Sequence, residues 1–207
     1  MLKPNEIEVV ILAEGEYPTH NTPLGILKGC EKVICCDGAA NTYIKIGKLP
    51  MATIGDGDSI AEDVKNKLSF IQVDDQETND LTKAINYAKD LGYKNIAILG
   101  ATGKRECHTI GNISLLMEYK RMGLNVTMFT DYCSIFPCKD SVNISCKAGQ
   151  QISIINFGAK NLKSEGLVYP IYDFTALWQG TLNECLTDEC SITAEGEFLV
   201  ILDYVRS

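Results

Sequence analysis

The chain has 207 residues, 45% of them hydrophobic, enough for one large domain or two small ones around a packed core. Its formal net charge is −8, and its lysines and arginines are scattered, with Lys104-Arg105 the densest group, which argues against nucleic-acid or anionic-membrane partners. Residues 1–8 carry charges and a proline where a signal peptide needs an apolar core, and no apolar run approaches a membrane span, so a cytoplasmic protein is expected.

From Glu8 onward, short apolar runs alternate with helical or turn segments. Strands are expected at 9–13, 33–36, 52–54, 70–73, 96–99 and 126–129. Most are continuous apolar runs, the pattern of a parallel sheet covered on both faces. Helices are expected at 39–46, 61–68, 80–91 and 109–121. The rhythm predicts an α/β class, with a doubly wound, mostly parallel sheet domain over 1–131. Within 80–91, Leu81, Ala84, Ile85, Ala88 and Leu91 fall at helical spacing behind a Thr78 or Asn79 N-cap, while Asp80, Lys83 and Tyr87 share the other face.

After Asp131 the rhythm changes. Segments 141–146, 151–157, 166–172, 190–193 and 198–204 are strand-like, 147–149 and 194–197 are turns, and no amphipathic helix stands out. A small all-β sandwich domain over 132–207 is expected, joined through 131–137. Nine cysteines form an odd number in a chain that is not small, and several sit in apolar runs such as Val33-Ile34-Cys35-Cys36, so they read as reduced, buried hydrophobes. There is no Cys-x-x-Cys pair, which argues against a zinc site.

The chemistry gathers at strand ends. Gly55-Asp56-Gly57-Asp58-Ser59 follows the third strand, so two carboxylates emerge where the backbone can bend sharply. The same residues could simply be a solvated turn, and Asp80 with Lys83 a surface ion pair. The other strands lead into Glu14-Gly15-Glu16, Asp37-Gly38-Ala39-Ala40-Asn41, Asp74-Asp75, and Gly100-Ala101-Thr102-Gly103-Lys104-Arg105-Glu106-Cys107-His108. Open α/β sheets bind ligands at the carboxyl ends of their strands. Carboxylates for a hard cation, glycines for close backbone approach and cations for phosphate oxygens are what a Mg²⁺-polyphosphate needs. Residues 100–104 are not a Walker A loop, since only two residues separate the glycines and arginine follows the lysine. His108 could be a base, a phosphate ligand or a structural residue.

In order and spacing, residues 37–41, 55–59, 75–83 and 100–112 resemble the motifs of the thiamine pyrophosphokinase family. In the second half, Gly166-Leu167-Val168-Tyr169-Pro170-Ile171 looks like the family's Gly-Leu-Lys-Tyr-Pro-Leu segment, and 180–184 like its Ser-Asn-Glu segment. The resemblance implies transfer of pyrophosphate from ATP to the hydroxyl of thiamine, giving thiamine diphosphate and AMP. It implies a homodimer with thiamine bound between subunits. It further implies Asp56, Asp58 and Asp80 as holders of Mg²⁺ and polyphosphate, with Asp75 or Glu77 assisting. Lys83, Arg105 and the stretch Gly100, Thr102, Gly103 would meet phosphates. Asp37, Asn41 and His108 would line the nucleotide region, and Tyr169 and Asn183 the thiamine side. Three positions depart from the family pattern: Cys107 stands where it has aspartate, Leu182 where it has serine, and Glu14 where it has asparagine. Asp56-Gly57-Asp58 also matches the Asp-x-Asp of metal-dependent glycosyltransferases, and Cys107 leaves room for a non-catalytic thiamine or nucleotide sensor.

Overall fold

A computed structural model describes residues 1–66 and 68–205. The chain divides into two compact units, Leu2–Asp131 and Tyr132–Ser207, the latter including Met1.

The first unit runs β1 (Val9–Leu12), α1 (Asn21–Gly29), β2 (Val33–Cys36), α2 (Ala39–Lys45), β3 (Ala52–Gly55), α3 (Glu62–Lys65), β4 (Phe70–Gln72), α4 (Asp80–Asp90), β5 (Asn95–Leu99), α5 (Glu106–Arg121) and β6 (Asn125–Phe129). Its strands are all parallel, in the order β6-β5-β1-β2-β3-β4. Side chains alternate between faces along each strand. Val10, Leu12, Val33, Cys35, Ala97 and Leu99 pack with Ile26 and Leu27 of α1 and Ala39, Ala40 and Tyr43 of α2. Residues on the opposite face, among them Ile11, Ile34, Ile54 and Ile98, are completely buried. There α4, which connects β4 at one edge to β5 beyond β1, packs across β3, β2 and β1. That crossover carries the N-terminus of α4 over the carboxyl ends of the strands.

In the second unit, β7 (Cys133–Lys139), β9 (Gln151–Asn156), β11 (Asn183–Glu184) and β13 (Glu197–Asp203) form an antiparallel sheet in the order β11-β9-β13-β7. A second antiparallel sheet runs β10 (Lys160–Glu165), β12 (Glu189–Glu195), β8 (Val142–Ser145). One core joins them, with Phe136, Ile152, Ile154, Phe198 and Val200 from the first sheet against Ile144, Leu162 and Ile192 from the second. This is the sandwich architecture.

Several elements differ from expectation. Helix α1 lies in a segment for which no element is expected; its Pro23 lies in the first helical turn, where its missing N–H costs nothing, and His20 caps the helix by accepting the Thr22 N–H at 3.2 Å. Strand β7 occupies the expected join, with Pro137 in mid-strand opposite Leu199. Strand β10 is polar and buries chiefly Leu162. Segment 166–172 is not a strand. Gly166 has φ +78°, and the segment makes a single bridge, Leu167 to Cys185, while Leu167 and Ile171 insert separately into the core. Leu91 is the C-cap of α4 and is exposed rather than part of its apolar face. The helix expected over 61–68 is one turn, and Lys67 lies outside the described residues.

Candidate active site

The strand order of the first unit reverses between β1 and β5, the position at which open α/β sheets form a crevice for ligands. The loops after these two strands meet there. Gly15 donates its N–H to the Gly100 carbonyl, and Glu16 donates to the Thr102 carbonyl at 2.8 Å. A Cβ on Gly15 would fall 2.3 Å from Gly100 O and 2.4 Å from Thr102 O, so only glycine permits this approach. A cleft of about 520 Å³ opens beside these loops.

Its floor and one wall are acidic. Glu14, Asp37, Asp56, Asp75 and Asp80 all line it. Asp37 follows β2 in a left-handed conformation, φ +23°, and is 2% exposed. Its Oδ2 accepts the Ser59 N–H at 2.9 Å, while Oδ1 is buried without a hydrogen-bond partner. Burial pushes the Asp37 carboxyl up to about 6; the Ser59 N–H opposes this, and the negative charges of Asp80 and Asp56 add to it. Gly55 makes room for this carboxylate, since a Cβ there would lie 2.7 Å from Asp37 Cβ. Oxygens of Asp37, Asp56 and Asp58 lie within 4.8 Å of one another. The Ser59 hydroxyl donates to Asp58 Oδ1 at 2.9 Å and holds that exposed carboxyl below the usual range. A buried carboxylate oxygen with no donor, facing two more carboxylates at close range, fits a hard cation.

The facing wall comes from α4 and α5. Lys83 Nζ donates to Asp80 Oδ1 at 3.0 Å, and the Lys83 side chain is 5% exposed against 32% for Asp80. This is a largely buried pair at the start of α4, not the surface pair that (i, i+3) spacing alone permits. Asn79 caps α4, its Oδ1 accepting the Thr82 N–H, and its Nδ2 donates to Asn112 Oδ1 at 3.0 Å. Asn112 Nδ2 donates in turn to the Ala101 carbonyl at 2.9 Å. This amide relay ties α4, α5 and the β5 loop together. Asp75 accepts from the Glu77 N–H and the Thr78 hydroxyl, the latter chiefly keeping its carboxyl below the ordinary range. Lys104, Arg105 and His108 supply exposed cationic and imidazole groups at the rim, and Thr102 lies beside them.

Among the residues singled out in the sequence, the structure brings Asp37, Asp56, Asp80, Lys83, Thr102, Arg105 and His108 to one cleft, with Asp58 at its acidic corner. Gly100 and Gly103 shape the adjoining loop, both with positive φ. Asn41 braces the β3 loop, donating to Ser59 O at 2.8 Å and accepting the Ala61 N–H at 3.1 Å. Cys107 is exposed and lies outside the cleft lining. Tyr169 and Asn183 belong to the second unit. There buried Asn183 accepts the Tyr169 N–H at 3.1 Å and donates to its carbonyl at 2.7 Å, leaving the Tyr169 ring exposed. Asn112 and Gln76, which also face the cleft, have no assigned role in the sequence reading. An asparagine in a helix carries no local signal until its partners are placed.

Residues 25–128 match the family model described as thiamin pyrophosphokinase, catalytic domain, and residues 134–201 the one described as thiamin pyrophosphokinase, substrate-binding domain. The chain is 28% identical over 130 residues to thiamine pyrophosphokinase 1 of Oryza sativa subsp. japonica, a match covering 50% of this chain and 48% of that protein. It is 25% identical over 172 residues to the thiamine pyrophosphokinase of Bacillus subtilis, covering 78% and 79%. Its fold superposes on the crystal structure of the Bacillus subtilis protein with a TM-score of 0.80 at 22% identity, covering 96% of this chain and 99% of that one. The yeast thiamin pyrophosphokinase structure gives 0.78 at 19% identity, covering 95% and 86%. With both halves matched in order, the chain belongs to the thiamin pyrophosphokinase family.

Proposed function

We propose that this protein transfers the pyrophosphoryl group of ATP to the hydroxyl of thiamine, giving thiamine diphosphate and AMP. The observation that carries the reading is the cleft at the β1/β5 reversal, where the acidic corner of Asp37, Asp56 and Asp58 faces the buried Lys83-Asp80 pair and the cationic rim of Lys104 and Arg105.

The reaction is an in-line displacement. The thiamine hydroxyl oxygen forms a bond to the β-phosphorus as the bond from that phosphorus to the α,β-bridging oxygen breaks; the electron pair leaves on AMP, and the hydroxyl proton passes to a site aspartate or a substrate phosphate oxygen. Such transfers owe most of their rate to positioning and charge neutralisation. Asp56 and Asp58, with Asp37 or Asp80, would hold Mg²⁺, which when bound neutralises polyphosphate charge. Lys83, fixed by Asp80, presents an ammonium to phosphate oxygens, and Arg105 at the N-terminus of α5 presents a guanidinium suited to bidentate contact. The glycine loop at 100–103 lets the backbone approach the phosphates, and Thr102 and His108 border the same region. Asn41 acts from behind by fixing the loop that carries Asp58 and Ser59.

In this reading, residues 1–131 are the catalytic domain and 132–207 the thiamine-binding and dimerisation domain. The exposed Tyr169, Leu177, Trp178 and Leu182 of the second unit support a homodimer with thiamine held at the subunit interface, since exposed apolar groups in such number mark association surfaces. The nine cysteines are thiols outside any disulfide, which fits a reducing cytoplasm. Among the described residues no helix is long and apolar enough to cross a membrane. The reading is tested by AMP release from ATP and Mg²⁺ with and without thiamine. Thiamine-dependent AMP, abolished in Asp56→Ala, is expected; AMP release indifferent to thiamine would overturn it.

A further inference from the structure

The second unit contains a group of side chains that pyrophosphoryl transfer does not use. Cys146 follows β8, Cys185 follows β11, and Cys190 lies in β12, and their three Sγ atoms are within 4.8 Å of one another. All three residues are buried. Backbone hydrogen bonds fix them: Cys146 N–H to Asp188 O and Cys185 N–H to Gln150 O, both at 2.9 Å, while Cys190 pairs with Ile144 in the sheet. The sulfurs therefore converge through the fold and not through sequence spacing, which is why a search for paired Cys-x-x-Cys motifs passes over them.

Metal–thiolate bonds of about 2.3 Å place the three sulfurs of a trigonal site roughly 4 Å apart, a separation this trio accommodates. Among the described residues no histidine or carboxylate joins the three at the same range, so the donor set is sulfur alone and three-coordinate. That set disfavours hard cations, which take oxygen, and falls short of the four ligands of a closed zinc site; it suits soft, thiophilic ions.

We propose that Cys146, Cys185 and Cys190 form a three-thiolate site for a soft d¹⁰ cation such as Cu(I) or Cd(II). Each coordinating thiol releases its proton to solvent as its sulfur–metal bond forms, and no oxidation state changes.

The test is an anaerobic titration of the reduced, chelator-stripped full chain with Cd²⁺, following the thiolate-to-cadmium charge-transfer absorbance. The band is expected to saturate at one ion per chain, with three sulfur neighbours by X-ray absorption and a rise in Tm of at least about 5 °C. Cys107→Ala, which alters only an exposed thiol, is expected to leave all three unchanged. Cys146→Ala and Cys190→Ala, each checked for folding by circular dichroism, are expected to weaken binding at least 100-fold and abolish the Tm shift. An undiminished band in both variants, or its loss in Cys107→Ala, would overturn the proposal. So would fewer than three sulfur neighbours in the native protein, a readout that needs no variant to fold.

Discussion

Asp37 offers a prediction whose sign runs against intuition: removing this site carboxylate should stabilise the metal-free protein. Its carboxyl is 2% exposed, and one of its oxygens has no partner. Burial raises it from 3.8 to about 6. The folded protein therefore prefers the protonated form, and the associated stability is fully present below pH 3.8 and lost as the pH rises through about 6. A shift of about two units corresponds to about 3 kcal/mol at most. Asp37→Asn keeps an oxygen to accept the Ser59 N–H and removes the charge. Urea unfolding in EDTA should show the variant and native proteins equal near pH 4 and the variant more stable by up to about 3 kcal/mol at pH 7.5, while thiamine diphosphate synthesis falls. Saturating Mg²⁺ should close the gap, since a cation bound only to the folded native site adds about 2.7 kcal/mol at a hundred times its Kd. A stability difference of the same size at pH 4 and pH 7.5 would refute the reasoning, because the effect would then not come from a buried charge.

Lys83→Met should lower kcat/KM by about 10²- to 10³-fold, the usual loss when one fixed donor to developing charge is removed, with a stability loss of about 1.5 kcal/mol because Asp80 remains one-third exposed. Steady-state kinetics and thermal unfolding separate the two effects. Gly15→Ala forces a Cβ against Gly100 O and Thr102 O. It should cost about 1 to 3 kcal/mol and raise the KM for ATP more than that for thiamine; an unchanged Tm would mean that the two loops do not need this contact. Asn112→Ala strips the Ala101 carbonyl and Asn79 of their shared partner. A loss of about 1 to 3 kcal/mol is expected, and substitution of Asn79 in the same protein should add less than it does alone, a coupling measurable by a double-mutant cycle.

The parallel strands are legible in the sequence because burial on both faces leaves nearly unbroken apolar runs, as in Val33-Ile34-Cys35-Cys36. Helix α4 is legible because Leu81, Ala84, Ile85 and Ala88 fall on one buried face behind the Asn79 cap. What escapes is decided by tertiary context. Strand β10 has one deeply buried residue, Leu162, and gets its partners from β12, while Val168-Tyr169 looks like a strand but is ended by Gly166 and Pro170. Helix α1 is hidden by a proline that its position renders harmless. At the site, residue types at strand ends indicate carboxylates and cations around phosphate. They do not indicate that Asp37 is the deeply buried one, that Lys83 is withdrawn from solvent, or that Asn112 links two loops, because each depends on the α4 crossover passing above the strand ends.

The most direct test of the proposed chemistry is the product balance of a single reaction. With ATP, Mg²⁺ and thiamine, chromatographic quantification should give AMP and thiamine diphosphate in equal amounts with no ADP, as attack at the β-phosphorus requires. ADP appearing with thiamine monophosphate would place the attack at the γ-phosphorus and contradict the account.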